Sequence, residues 1–328
     1  MEYTHCSLCG QDDTELLFVA PDNGHGSDAM TSIVRCRKCG FVYANPRIES
    51  DHISEYYPPD SYYSYQQESK RSLGSYLKTV ARRSVPGYDK NLSLLDRLLS
   101  KTIGRLLLVQ MDVVIPFRDK GRILDVGCGN GSMIGWMRDH GWETYGVEIS
   151  ERACEAASQQ GLQTFCGQLQ DAGYDDAYFD VVTLNHVVEH LYHPLETLSE
   201  CHRILEDDGL LVVDCPNFDC YDSKLFREDC HLIEAPRHIN HFTRVALEKL
   251  LNDAGFEIKT WKFKLPIPVR DRISLHYFKR NHADAGFARI LVVEIRATVL
   301  KVLGYLFSRN RGEKYSWNIT AYAIKRRP

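Results

Sequence analysis

Residues 123–131, ILDVGCGNG, set an apolar run directly before a loop that carries three glycines, Gly127, Gly129 and Gly131. A helical pattern begins immediately afterwards. Glycine is favoured in such a loop because only a backbone without Cβ lets a ligand approach the end of a strand closely. The acidic residue Glu148 ends the next apolar run, where a doubly wound fold places the carboxylate that binds ribose hydroxyls. The segment therefore predicts a nucleotide-type cofactor site on a strand–loop–helix unit.

Strand and helix patterns alternate through residues 120–265, which is typical of β–α–β units. Such alternation predicts an α/β, Rossmann-like, doubly wound and mostly parallel sheet. The apolar run at 319–324 is expected to add a final antiparallel edge strand, the seventh of the sheet. The other strands are expected at 122–127, 143–149, 163–167, 179–185, 210–215 and 256–263, and helices at 132–140, 151–160, 194–205 and 244–254.

The 328 residues, with 44% hydrophobic and 26% charged side chains, suit one large globular domain with smaller modules. The polar start, MEYTHCSLCG, does not resemble a signal peptide, so the expected compartment is the cytoplasm. We expect a zinc-binding module at 1–45, a linker or lid with helices at 46–118, a cofactor domain at 119–265, and a basic amphipathic tail at 266–328.

NAD is the alternative cofactor for a glycine-rich loop. The spacing here is D-x-G-x-G-x-G rather than G-x-G-x-x-G, and the charged Asp125 precedes the first glycine. A carboxylate suits a cofactor that bears an amino acid with an ammonium group, whereas a pyrophosphate favours the bare amides of a helix N-terminus. The loop therefore favours a cofactor with an amino-acid part.

LDVGCGNG resembles the first motif of class I methyltransferases, which use S-adenosylmethionine. The resemblance continues through YGVEIS, YFDVVTLNHVVEHL, CHRILEDDGLLVVDCPN and HFTRVALEKLLNDAGFE, and so covers about residues 120–265. The methyltransferases that the sequence resembles include the ubiquinone-type and sugar-type enzymes. By this resemblance Asp125, Gly127 and Gly129 line the methionine part of S-adenosylmethionine, Glu148 binds the ribose, Gln168 and Leu169 flank the adenine, and Asn185 and His186 lie beneath the sulfonium. Gln168 departs from the family pattern, in which an Asp is common at this position.

Two knuckles of the form C-x-x-C-G, Cys6 with Cys9 and Cys36 with Cys39, lie within the first 40 residues. Four converging thiolates suit a tetrahedral Zn²⁺ without an open position, so we expect a structural zinc site. Two disulfides or a redox-active dithiol are the alternatives. About 45 residues form no stable core of their own, and a metal would supply the missing stability.

The sequence gives two indications about the acceptor. Residues 1–45 carry more acidic than basic side chains, whereas a phosphate-binding module is net positive, so no nucleic acid partner is expected. The run CRKCGFVYANPR with the following tyrosines resembles methyltransferases of sugar, glycan and natural-product pathways. That resemblance implies an N-terminal module that packs over the cofactor domain and helps to form the acceptor pocket.

Histidines concentrate between positions 186 and 241. A neutral histidine can accept a proton near pH 7, and methyl transfer to a hydroxyl or carbon acid requires that step. We favour His241 and then His238 as base or acceptor-orienting groups, because RHINHF lies in the insertion that covers the active site in this fold. His190, in the Glu189–His190 pair, is a third candidate, for which the resemblance also permits a divalent-metal role. The alternative for each is a structural role at a helix end.

The tail is basic, with 16 Lys and Arg against 4 Asp and Glu from Lys259 to Pro328. Residues 287–307 read as an amphipathic helix with a stripe through Leu291, Ile295 and Val299. Its basic flanks predict peripheral contact with an anionic bilayer, and docking on the protein itself or on another copy is the alternative.

The sequence as a whole favours a methyltransferase that modifies an O or C atom of a small-molecule, glycan or lipid-linked acceptor. An RNA or protein methyltransferase, or a binding module that keeps the fold without catalysis, are the alternatives. The acceptor atom and the oligomeric state have no signature in the sequence.

Overall fold

The computed structural model of the chain describes residues 1–24, 27–57, 73–89, 93–108, 111, 113–263, 271–284, 286, 289–299 and 313–326. The strands in these residues are β1 (Thr14–Pro21), β2 (Met30–Cys36), β3 (Val42–Ala44), β4 (Arg122–Val126), β5 (Glu143–Glu148), β6 (Gln163–Cys166), β7 (Phe179–Asn185), β8 (Leu205–Pro216), β9 (Asn240–His241), β10 (Phe256–Phe263) and β11 (Asn318–Lys325). The α-helices are α1 (Leu73–Arg82), α2 (Leu94–Leu99), α3 (Arg105–Leu108), α4 (Ser132–Arg138), α5 (Glu151–Ser158), α6 (Pro194–Ile204), α7 (Tyr221–Phe226), α8 (Arg244–Asp253) and α9 (Asp271–Asn281). Residues 289–299 are also helical.

The larger sheet has seven strands in the order β10-β11-β8-β7-β4-β5-β6. The pairs from β8 to β6 are parallel, and β11 is antiparallel to both of its neighbours. The predicted Rossmann-like sheet is therefore confirmed, and each strand and helix expected in 120–265 forms, although β8 begins at Leu205 rather than at the expected 210. The strand from the tail is antiparallel as expected, but its placement at an edge was wrong. It lies inside the sheet, between β8 and β10, where Ile319, Ala321 and Ala323 are fully buried. Strand β11 thus buries an apolar run that an edge position would leave partly exposed.

Local sequence explains where the helices of this domain begin. Ser150 caps α5 and Thr243 caps α8, since each side chain accepts a hydrogen bond from the backbone N–H three residues on. Pro194 occupies the first turn of α6, where its missing N–H costs nothing. Gly131 precedes α4 with a φ of +78°, a conformation that glycine adopts without strain.

The smaller sheet is antiparallel, in the order β1-β2-β3-β9. Three of its strands come from the cysteine module, whereas β9 comes from the segment that follows β8 in the cofactor domain. Val42 pairs with His241 and Tyr43 with Asn240. The module and the cofactor domain thus share one sheet, and a common apolar core includes Phe41 of the module.

Among the helices that the structure describes, none combines the length and the apolar character needed to cross a bilayer. The predicted stripe of the tail helix falls partly on residues 300–307, which lie outside the described residues. Leu291, Ile295 and Val299 are exposed, whereas Ile290, Val293 and Ala297 belong to an apolar cluster that includes Phe278 of α9.

Candidate active site

The glycine loop lies between β4 and α4 and is held at the end of the parallel strands. The amides of Gly127 and Cys128 both donate to the carbonyl of Val147 on β5, at 2.7 and 3.1 Å. Gly127 has a φ of +70°, and a Cβ on it would lie 2.4 Å from Cγ2 of Val187. Any larger residue at Gly127 would therefore clash with the segment that follows β7. This close approach explains the glycine independently of a ligand and brings the β4 and β7 ends together.

Glu148 ends β5 and its carboxylate is tied to the same loop. One oxygen accepts a hydrogen bond from the Gly129 amide at 2.9 Å, and the other accepts one from the Ser150 amide at 2.9 Å. Each carboxylate oxygen has a second lone pair, so these bonds fix the orientation of Glu148 without using its full capacity. The structure therefore brings Glu148, predicted for the ribose, into contact with Gly129, predicted for the methionine part.

Asp125 lies at the carboxyl end of β4 and is buried. Its Oδ1 accepts a hydrogen bond of 2.6 Å from the hydroxyl of Thr183 on β7. Burial raises the pKa of Asp125 to about 7, although the Thr183 hydroxyl opposes that rise. A cationic group beside Asp125 would restore the ionised carboxylate, since an opposite charge favours the charged form. That electrostatic state suits the ammonium group predicted for this position.

Gln168 and Leu169 follow β6 and begin a short 3-10 turn, Leu169–Asp171. The Gln168 side chain is exposed, whereas the Leu169 side chain is 2% exposed and belongs to the central apolar core. The Leu169 side chain can therefore contribute to an adenine site only from beneath, and its backbone is the part that a ligand can reach.

Asn185 and His186 lie at the carboxyl end of β7, and His186 has a φ of +56°. This left-handed conformation is uncommon outside glycine and turns the chain sharply at the strand end. The His186 ring connects to three elements: Nδ1 is 3.1 Å from Glu189, and Nε2 is 3.0 Å from the Asn318 side chain and 3.5 Å from Asp214. The side-chain oxygen of Asn185 is buried without a hydrogen-bond partner in the described structure.

Glu189, His190 and His238 form a compact buried group in which the ligand-type atoms all lie within 4.8 Å of one another. Burial opposes ionisation of Glu189, but the His186 hydrogen bond and the nearby histidines lower the pKa of Glu189. Burial and the neighbouring His238 lower the pKa of His190 to about 4. Burial also disfavours the charged form of His238, but the Glu234 carboxylate at 3.2 Å raises the pKa of His238. The group therefore combines a charged carboxylate, a neutral imidazole and a histidine that is more easily protonated.

His241 occupies β9 and is 5% exposed. Its ring lies 5.6 Å from the ring of Phe218, centroid to centroid. Burial lowers the pKa of His241 to about 3, so the ring is neutral at pH 7. Its Nε2 is buried and has no hydrogen-bond partner in the described part of the chain. By contrast, both ring nitrogens of His238 have partners, the Leu232 carbonyl and Glu234.

The four cysteines of the two knuckles converge. The sulfur atoms of Cys6 and Cys39, and those of Cys9 and Cys36, are 3.5 Å apart, and all four lie within 4.8 Å of one another. A disulfide needs about 2.05 Å, whereas a tetrahedral ion held at about 2.3 Å from each sulfur needs about 3.8 Å between sulfurs. The spacing therefore fits a tetrahedral metal and not two disulfides.

The knuckle backbone fits the same chemistry. The amides of Gly10 and Gly40 donate to the carbonyls of Cys6 and Cys36, at 2.8 and 2.9 Å. Both glycines have a positive φ, which closes each turn over its two sulfurs. Burial raises the pKa of the Cys6 thiol well above its ordinary range, and a bound cation would favour its thiolate form.

Several site residues were not identified from the sequence. Thr183 could have been found, because it lies opposite Asp125 in the predicted parallel sheet. Asp214 lies on another predicted strand and could likewise have been considered. Arg82, whose guanidinium lies 5.0 Å from the Trp136 ring and faces the Asp125 charge, comes from a segment without a motif. Asn318 comes from the tail, about 130 residues after His186, and has no signature in the sequence.

The known proteins to which this chain is similar include several methyltransferases. Residues 92–260 match the family model described as a methyltransferase domain. A probable S-adenosylmethionine-dependent methyltransferase of Mycolicibacterium smegmatis is 30% identical over 148 residues, which cover 44% of this chain and 56% of that protein. A malonyl-[acyl-carrier protein] O-methyltransferase of Enterobacter lignolyticus is 26% identical over 58% of this chain and 72% of its own length. A ubiquinone biosynthesis O-methyltransferase of Azoarcus sp. is 27% identical over 42% of this chain and 64% of its own length.

The match with the Mycolicibacterium and Azoarcus proteins thus covers less than two thirds of their length. Residues 92–260, which match the family model, include the glycine loop, Glu148 and the ends of β4, β5 and β7. The chain belongs to the methyltransferase domain family, and carries the class I fold of the S-adenosylmethionine-dependent methyltransferases.

Proposed function

We propose that the chain transfers a methyl group from S-adenosylmethionine to an O or C atom of a small-molecule, glycan or lipid-linked acceptor. The observation that supports the methyltransferase assignment is the hydrogen bond from the Gly129 amide to the Glu148 carboxylate, beside the buried Asp125. Two of the relatives are named O-methyltransferases, which favours an oxygen acceptor. S-adenosylmethionine supplies the methyl group when bound, and the residues below bind and orient the reactants.

In this proposal Asp125 faces the ammonium group, and Glu148 binds the ribose hydroxyls through its remaining lone pairs. Gly127 and Gly129 allow the methionine part to lie against the loop, and Gln168 and the Leu169 backbone flank the adenine. Asn185 and His186 lie beneath the sulfonium. The unpartnered oxygen of Asn185 at the end of β7 supports this placement, because a buried polar atom without a partner is costly unless a ligand satisfies it.

We assign the acceptor contact to His241. Within the described residues, its Nε2 is buried without a hydrogen-bond partner, whereas His238 is bonded on both sides and Nδ1 of His190 lies 3.0 Å from the Arg237 carbonyl. A neutral imidazole can accept a hydrogen bond from an acceptor hydroxyl and align its oxygen for in-line transfer. With a pKa of about 3, His241 is a weak base in the ligand-free protein, so orientation is its main contribution. His238 and His190 complete the proposed catalytic group as its polar support.

We further propose that Cys6, Cys9, Cys36 and Cys39 hold a structural Zn²⁺. Their sulfur spacing supports this assignment, and the β3–β9 pairing makes the module part of the active-site wall. A small acceptor fits better than RNA, because the module is net acidic. The exposed apolar residues at 289–299 support peripheral contact of the tail helix with a membrane.

The experiment that tests the proposal has two stages. Calorimetry measures binding of S-adenosylhomocysteine and of NAD to the full chain, and only the former is expected to bind. Mass spectrometry then compares extracts of the source cell incubated with S-adenosylmethionine, with and without the protein, for a product that is heavier by one methylene. Binding of S-adenosylhomocysteine without such a product, in extracts that contain small molecules, RNA and protein, would favour a non-catalytic binding module. A product found only in the RNA or protein fraction would contradict the small-acceptor assignment.

A further inference from the structure

The helical segment 94–105 exposes its large apolar side chains. It comprises α2, the π-helical turn Ser100–Gly104 and the first residue of α3. The side chains of Leu94, Leu95 and Leu98 are 85%, 74% and 61% exposed. A helix on the surface of a globular protein usually turns its leucines inward, so the orientation here is the reverse of the ordinary pattern.

Small residues form the packed side of this segment. Ser100 and Gly104 are buried, and a Cβ on Gly104 would lie 2.6 Å from the carbonyl oxygen of Val80 on α1. The segment is thus in close backbone contact with α1. Because it is already docked through these small residues, its leucines are exposed in the docked position and not for lack of a packing surface.

Basic side chains share the exposed side. Leu94, Arg97, Leu98 and Lys101 have the i, i+3, i+4, i+7 spacing of one helix face, and both basic residues are exposed. The acidic residue of the segment, Asp96, is half-buried and accepts a hydrogen bond from Ser93 at 2.8 Å. A face of leucines flanked by cations is typical of helices that lie in the headgroup region of an anionic bilayer.

We propose that the 94–105 segment is a docking surface for an anionic lipid bilayer. The leucines enter the boundary between headgroups and acyl chains, while Arg97, Lys101 and Arg105 contact lipid phosphates. A second copy of the chain fits less well, because a two-fold interface sets a patch against itself and would oppose these like charges. The leucines and basic residues of this surface are not among those assigned to methyl transfer, and binding of vesicles does not require that activity.

The test uses the full chain and vesicles of phosphatidylcholine, with or without phosphatidylglycerol, in a sedimentation assay at low and high salt. The wild type is expected to bind the anionic vesicles, to bind them less in high salt, and to leave neutral vesicles largely free. Leu94→Gln with Leu98→Gln is expected to weaken binding at least about tenfold. Arg97→Gln with Lys101→Gln is expected to weaken it about 30-fold, since each basic residue near the surface is worth about 1 kcal/mol.

The matched control is Val245→Gln with Lys120→Gln, which changes one exposed apolar and one exposed basic residue elsewhere and is expected to bind as the wild type does. The tail helix is kept intact in every variant. Wild-type protein that ignores anionic vesicles, or paired variants that bind as well as the control, would overturn the proposal. A concentration-dependent dimer that the leucine variant abolishes, without vesicle binding, would assign the surface to a second copy instead. Circular dichroism on the same samples shows whether each variant is folded, and calorimetry with S-adenosylhomocysteine keeps failure of the methyltransferase proposal separate.

Discussion

The backbone of His241 pairs with that of Val42, which joins the segment after β8 to the cysteine module. The adjacent pair, Asn240 with Tyr43, completes this short antiparallel ladder. A strand of two residues has little stability of its own, so its position depends on the three module strands beside it. The module is therefore expected to set the geometry of His241, and the metal is expected to set the geometry of the module.

Removal of the zinc is expected to disturb the pairing of β3 with β9. The purified protein should contain about one Zn²⁺ per chain, and Cys36→Ser should lose it and lower the melting temperature. Cys166→Ser is the matched control, because Cys166 is exposed and lies outside the four-sulfur cluster. Elemental analysis and circular dichroism provide the measurements. A metal-free protein with two protected disulfides would contradict the assignment.

Glu148→Ala is expected to weaken binding of S-adenosylhomocysteine by about 1.5–3 kcal/mol, because it removes a charged hydrogen-bond acceptor from the ribose and releases the Gly129 amide. Calorimetry measures the change. Glu155→Ala, on the exposed side of α5, should bind as the wild type does. Equal affinity of the two variants would show that Glu148 only braces the loop.

Thr183→Val is expected to make cofactor binding more sensitive to acid. The Thr183 hydroxyl stabilises the ionised form of Asp125, so its loss raises the pKa of that carboxyl above the present value of about 7. More of the protein then carries neutral Asp125 at pH 7, and affinity for S-adenosylhomocysteine should recover only at higher pH. Thr183→Ser keeps the hydroxyl and should keep the wild-type profile. Identical pH profiles for the two variants would contradict the ammonium-binding role of Asp125.

His241→Ala is expected to leave the affinity for S-adenosylhomocysteine unchanged and to lower turnover by about 10²-fold or more, since the acceptor loses its aligning group. His238→Ala is the internal comparison, because its ring nitrogens are already bonded within the protein. The expected effect of His238→Ala is mainly a lower melting temperature. If the His241 variant is less stable but turns over within a few-fold of wild type, His241 is a structural residue of β9.

The stability that His190 and His241 contribute is expected to be lost in acid below about pH 6.5, whereas the raised pKa of Asp125 acts in the opposite direction. His190 and His241 have pKa values of about 4 and 3 in the folded chain, while an unfolded histidine titrates near 6.5. The unfolded state therefore binds more protons at these two sites, and their contribution to the free energy of unfolding decreases as the pH falls. Each histidine should account for up to about 2 kcal/mol of the loss between pH 7 and 5. Urea denaturation of the wild type and of His241→Asn at both pH values measures this loss of unfolding free energy. If both proteins lose the same amount between pH 7 and 5, the result contradicts a neutral buried His241.

The local pattern of the sequence was enough to predict the cofactor half of the fold. The apolar run before Gly127, the helix after it and the acidic end of β5 are encoded within short stretches of chain, because strand and helix periods and the need for glycine are local properties. The cysteine spacing likewise predicted a four-sulfur cluster before any geometry was known.

Only the tertiary structure decided which distant segments meet. The sequence identified a strand at 319–324 but not its place between β8 and β10, since strand order depends on pairings that leave no mark on one strand alone. It identified His241 but not its pairing with Val42, because backbone hydrogen bonds do not depend on side-chain identity. It identified helices near Leu94 but not that the small residues Ser100 and Gly104 face inward, because the backbone of α1 comes too close to admit anything larger. Periodicity gives a helix its faces, and the neighbouring elements decide which of them is buried.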